Sequence, residues 1–224
     1  MIDEGYEELP PFRRWLLEAG VSVGRPLGNF DTKLDGELLW GFGAAALHQL
    51  QPDRPAFIGI EMRYNNLQTQ RSNWLDILDT GELADFTGSA SSNMATFDLL
   101  YRYFPAIGFW GIEPYVEGRF GTRWMYTYET TTAFIGDFEE FSDTAFANSS
   151  WALAYGAAIG MQIYTGGTTY LNIRSIYTRG NSAQIDVKDD TVDPLDITFP
   201  IQGYRLTSSA TSTLRFEVGL TFLL

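Results

Sequence analysis

Two short patterns in this 224-residue sequence are of types that could carry chemistry. Gly20, Ser22 and Gly24 spell G-x-S-x-G, the nucleophile elbow, in which a strained strand-to-helix turn exposes a serine for acyl transfer. His48, the single histidine, is the side chain whose ordinary titration range suits general acid–base work near neutral pH. Neither pattern sits where its chemistry needs it. The elbow lies inside an alternating apolar–polar segment with no helix to follow, and His48 lies near a strand end, where a polar tip at an interface explains it more simply. With no cysteine and one histidine, the chain has no thiolate or His-pair metal site and no cysteine nucleophile. The sequence therefore assigns no catalytic residue, no cofactor and no metal.

Carboxylates are abundant, 28 Asp and Glu against 15 Lys and Arg, for a net charge of -13. That sign argues against a nucleic-acid partner, since little would neutralise a phosphate backbone. Many of the acids gather in four segments, Asp31 to Glu37, Asp76 to Asp85, Glu129 to Asp143 and Asp186 to Asp196. Hard oxygen ligands suit Ca²⁺ or Mg²⁺, but no EF-hand spacing is present, so the expectation is solvated loop surface.

The elements that would position these groups are strands. Period-two alternation gives eight: Arg14 to Gly24, Leu38 to Leu50, Ala56 to Asn65, Met94 to Phe104, Glu113 to Tyr128, Ser150 to Tyr164, Thr169 to Thr178 and Thr213 to Leu224. Their connections alternate in length. Short turns lie around 51–55, 105–112 and 165–168, whereas 25–37, 66–93, 129–149 and 179–212 are longer. An up-and-down meander then has every short turn at one end and every long loop at the other, as in a transmembrane barrel with extracellular loops. Within the loops, Ser72 to Phe86 has helix-like apolar spacing at Trp74, Ile77 and Leu78, and predicts a short helix. The alternating run Leu195 to Leu206 extends the last hairpin beyond the membrane, and as an extra hairpin in the wall it would make a ten-stranded barrel.

Which face is apolar decides the solvent. The polar faces carry Glu18, Glu61, Asp98, Glu117 and Glu217 against Arg63, Arg102, Arg119, Arg123, Arg174 and Arg215. All six bases are arginine, whose planar guanidinium makes several directed bonds to carboxylates, and both lysines fall in loops. This composition predicts a packed lumen, an ion-pair network with no continuous water path, and an outer face turned to lipid. On that outer face Trp40, Tyr64, Trp124, Tyr126, Trp151 and Tyr177 fall at the long-loop end, and Trp15, Tyr101, Tyr103 and Phe222 at the short-turn end. These are two aromatic girdles with an aliphatic band between them.

The segments RYFPAIGFWGIEPYVEGRFGTRW, YGAAIGMQIY and the terminal RFEVGLTFLL resemble those of small OmpA/OmpX-type outer-membrane barrels, with a Bacteroidota-like character. The terminal segment is similar to the family's assembly signal, with apolar residues at Phe216, Val218, Leu220, Phe222 and Leu224, but it ends in Leu rather than an aromatic. The resemblance implies a bacterial outer-membrane location, insertion by the assembly machinery and outer-membrane lipid as surroundings. It gives Asn148-Ser149-Ser150, a glycosylation pattern, no expected use. It does not imply one activity, because such barrels include anchors, adhesins, lipid-modifying enzymes and complex subunits.

The expectation is thus an all-β, eight-stranded antiparallel up-and-down transmembrane barrel with long extracellular loops. Residues 1–12 form a periplasmic segment and 13–224 the barrel, with Met1 standing in for a removed signal peptide. Its role is read as non-enzymatic, structural or interaction-based, with any protein partner engaged through the loops or the barrel wall. The alternatives are a lipid-modifying enzyme using His48 with a nearby Ser, and a small porin.

Overall fold

A computed structural model describes residues 15–51, 54–77, 83–105, 107–135, 138–188 and 204–224. Eight strands close into a ring: β1 (Trp15–Pro26), β2 (Leu39–Gln51), β3 (Arg54–Ile77), β4 (Leu83–Tyr103), β5 (Ile112–Ile135), β6 (Phe138–Gly166), β7 (Thr169–Gly180) and β10 (Thr213–Leu223). Each pairs antiparallel with its neighbours, and β1 meets β10 to complete the circle, with Leu16 opposite Leu223 and Pro26 opposite Thr213. Two further strands, β8 (Ser182–Lys188) and β9 (Tyr204–Ala210), form a separate sheet between β7 and β10, so the ring has eight strands rather than ten.

The pleat turns successive side chains to opposite faces. On β5, Glu117, Arg119 and Arg123 are buried while Val116 and Phe120 are exposed; on β10, Arg215 and Glu217 are buried while Phe216, Val218 and Leu220 are exposed. Charge inside and hydrocarbon outside is the reverse of a water-soluble barrel. Lipid solvates the apolar outer face where charged side chains would be costly, and closure pairs the ladder N–H and C=O groups within the wall, as a spanning sheet requires. The fold is therefore an eight-stranded antiparallel up-and-down transmembrane β-barrel.

The long-loop end differs from the sequence reading. The segments 66–93 and 129–149 are mostly strand: β3 continues to Ile77 and β4 begins at Leu83, and β5 and β6 continue to Ile135 and from Phe138. The helix expected in Ser72 to Phe86 is replaced by this hairpin, with Ser72 opposite Gly88 and Leu75 opposite Asp85. The described residues hold one helix, α1 (Asn29–Lys33), in the first loop. The fourth loop is the β8–β9 sheet; of the Leu195 to Leu206 run only the end lies in β9, the remainder falling outside the described residues, as does the 1–12 segment.

Bulges explain why alternation stopped where it did. The β3–β4 register shifts between Asn66 and Gln68, and the β5–β6 register shifts at Thr127/Tyr128, opposite Asn148 and Phe146. An extra residue resets which parity faces inward, so a strand continues while its period-two pattern breaks. Leu67 and Gln68, adjacent in sequence, are both buried at the first of these.

Candidate functional site: a layered lumen

Read along one strand, the lumen has layers. The inward residues of β5 run Glu113, Tyr115, Glu117, Arg119, Gly121, Arg123 and Met125 from the short-turn end upward. Tyr115 belongs to a buried apolar cluster with Leu16, Leu47, Phe57, Leu100, Phe104, Tyr170 and Leu223, which fills the short-turn end. Met125 belongs to a second cluster in which Phe30 and Leu34, carried by α1 and the turn after it, and Ala183 and Ile185 of β8 fold over Leu39, Leu67, Met94 and Ala152. Apolar packing thus lies above and below the ions. Neither cluster was read from the sequence, although inward-facing Leu47, Phe57 and Leu100 carried the signal by parity alone.

All eleven charged residues assigned to the lumen are buried there. Arg102 donates to Glu18 and, at 2.9 and 2.6 Å, to Glu117 Oε2. Gln162 at 3.2 Å and the Thr221 hydroxyl at 3.0 Å complete the Glu18 carboxylate. Arg174 reaches Glu217 at 2.7 Å, Glu117 at 3.4 Å and Glu61. Glu61 also accepts from Arg63 at 2.9 Å and from Arg119, which lies 3.3 Å from Asp98. Arg63 pairs with Glu217 as well. Five carboxylates are thereby interleaved with four guanidinium groups, each bridging several partners in the fork geometry arginine allows.

Two expected members stand apart. Arg123 and Arg215 are buried but make no ion pair among the described residues, so the expectation of a network embracing all six arginines is corrected to one embracing four. Crowding shapes the network too. A Cβ on Gly160 would lie 2.5 Å from Tyr115 Cζ and 2.8 Å from Arg174 Cβ, so β6 must be bare there. Tyr115 uses the space to donate 2.7 Å to Asn172 Oδ1, with the Arg102 guanidinium carbon 4.1 Å over its ring.

The aromatic residues assigned to the girdles lie on the outer face. Trp15, Trp40, Tyr101, Tyr103, Trp151, Tyr177 and Phe222 are exposed, and Tyr64, Trp124 and Tyr126 are partly covered by one another's rings and their neighbours. Trp124 stacks on Trp151 with centroids 5.7 Å apart and tilts against Tyr126 at 4.5 Å. Tyr64 packs on Trp40 and Phe42, its hydroxyl donating to Asn93 Oδ1 at 2.5 Å. A further aromatic feature was not anticipated: the turn before β5 exposes Ile107, Phe109 and Trp110, the last at a positive φ of 51°.

The chemistry candidates are dispersed. Ser22 faces the lumen and accepts from Arg63 at 3.2 Å, within a continuous strand rather than an elbow. His48 lies near the short-turn end of β2 with its ring 4.7 Å from that of Trp15, and its register partners are Trp15 and Ile58. Among the described residues no group of His, Asp and Glu is arranged to hold a metal ion. Asp31 of α1 pairs with Arg25, near the end of β1, at 3.1 Å.

No family model matches the sequence, and no curated protein matches it significantly. Solved structures that it is similar to include Neisserial surface protein A, NspA, at 10% identity and a TM-score of 0.43, covering 94% of this chain and 97% of that one. A major outer membrane protein from Thermus thermophilus is similar at 13% identity and a TM-score of 0.45, covering 94% and 99%. The outer membrane protein OprG from Pseudomonas aeruginosa is similar at 14% identity and a TM-score of 0.43, covering 96% and 97%.

Proposed function

We propose that this chain is a non-enzymatic bacterial outer-membrane barrel that works through its outer wall and raised hairpins, as a structural or interaction component of an outer-membrane assembly. The observation that carries this reading is the filled lumen, in which an ion-paired layer lies between two buried apolar clusters. Eight strands leave an interior just wide enough for side chains, and here the side chains occupy it. Work then falls to surfaces facing lipid and the outside. The wall of β1 to β4 offers one such surface, a groove of about 690 Å³ where Ala19, Ala44 and Ala95 sit low beside Phe42, Tyr64 and Phe97. Small residues let another chain or an acyl tail approach the wall closely.

The test is conductance. Pure protein in planar bilayers is expected to give no large, stable steps; their regular appearance would refute this reading in favour of a porin.

A further inference from the structure

We propose that the upper lumen holds a small inorganic anion of halide size, bound by Arg123 and Arg215. The eleven charges of the ionic layer separate by height. Each of its five carboxylates is engaged with Arg63, Arg102, Arg119 or Arg174, and the further buried carboxylate of β5, Glu113, lies at the opposite, short-turn end. Arg215 is 1% exposed, and none of its three guanidinium nitrogens has a hydrogen-bond partner. Arg123 is 0% exposed; its Nη2 donates to the Thr178 hydroxyl, and its Nε and Nη1 have no partner. The charged groups acting most strongly on Arg215 are Arg63, Arg123 and Arg119, followed by the acid Asp98, and those acting on Arg123 are Asp98 and Arg119. Asp98 already lies against Arg119.

Neither guanidinium can escape to water. Met125, the next inward residue above Arg123, belongs to the apolar cluster under α1 and β8, and lipid lies outside the wall. A buried cation in such surroundings demands a counter-charge. The groups that Arg123 and Arg215 leave free are all N–H donors, which fits an anion and excludes a metal cation. Thr96, the register partner of Arg123 on β4, has a buried hydroxyl without a partner and adds one more donor to the same tier. Tight packing sets the size. A Cβ on Gly180 would overlap Thr211 Oγ1 and lie 3.3 Å from Arg123 Nη1, and one on Gly24 would overlap Arg215 Cγ. A monatomic ion suits that space where a tetrahedral oxyanion would not. The site does not depend on the role proposed for the outer wall.

Bromide is the probe. Crystals of the whole chain grown or soaked in sodium bromide should show an anomalous peak touching both guanidinium groups; no peak there, or peaks only at the protein surface, would overturn the site. In detergent micelles the unfolding midpoint should rise saturably when sodium gluconate is replaced by sodium bromide at constant ionic strength. The rise should vanish in Arg215→Met, which keeps the stem and removes the charge, and in Arg123→Met. An undiminished rise in a folded variant places the ion elsewhere and rejects the proposal. If neither variant folds, the bromide map of the unaltered chain decides alone.

Discussion

β3 passes through two solvents, and its two halves obey different rules. Below the Asn66/Gln68 bulge its outward residues Ile58, Ile60 and Met62 face hydrocarbon, and its inward residues Glu61 and Arg63 lie in the ionic layer. Above the bulge the strand rises as a hairpin with β4, its backbone pairing unbroken, and Leu75 is 64% exposed. Apparent exposure is thus similar in the two halves, 58% at Ile60 against 64% at Leu75, while the meaning of exposure is opposite. The difference teaches that side-chain type tracks the surrounding medium, whereas strand pairing does not. A single inserted residue marks the border.

The largest effect should come from the inward side of the lower half. Glu61→Gln leaves Arg63, Arg119 and Arg174 short of a shared counter-charge, and removing one partner of a buried pair costs about 3–5 kcal/mol. Urea unfolding in lipid vesicles should show it as a lowered midpoint; an unchanged midpoint would mean the network is a consequence of closure and not a support for it. Next comes the outward side at the same height. Ile60→Lys should cost about 2–4 kcal/mol near the bilayer midplane, read by the same unfolding curve. The smallest effect sharpens the contrast: Leu75→Lys, the same kind of change on the same strand, should stay within about 0.5 kcal/mol. Equal costs at positions 60 and 75 would place the upper hairpin inside the membrane as well.

The same boundary limited what could be read in advance. Where one face is buried by charge and the other solvated by lipid, alternation is forced, and the eight strands, their inward arginines and their outward aromatics were all legible. Above the bulges no hydrocarbon demands an apolar face, and Thr130 to Thr132, paired with Thr144 to Ser142, carry no periodic contrast. Those residues read as loop for want of contrast, and Trp74, Ile77 and Leu78 imitated a helix by spacing alone. The separation of Arg123 and Arg215 from the network was illegible for another reason. Which guanidinium reaches which carboxylate depends on the stagger between strands, and a count of charges per face carries no stagger.

The β1–β10 seam has a consequence for how the molecule comes to exist. Leu16 lies opposite Leu223, and the Thr221 hydroxyl bonds a Glu18 carboxylate across a sequence separation of 203 residues. No early part of the chain can satisfy β1 on both edges, so a nascent N-terminal half exposes an open strand edge until the last strand arrives. Loop-closure entropy must be met before the non-local contacts reward it, which makes such a topology slow to form from its chain alone. The closing step therefore favours all-at-once assembly after synthesis over growth strand by strand, and it makes the unclosed edge the point at which assembly either captures the chain or loses it to aggregation.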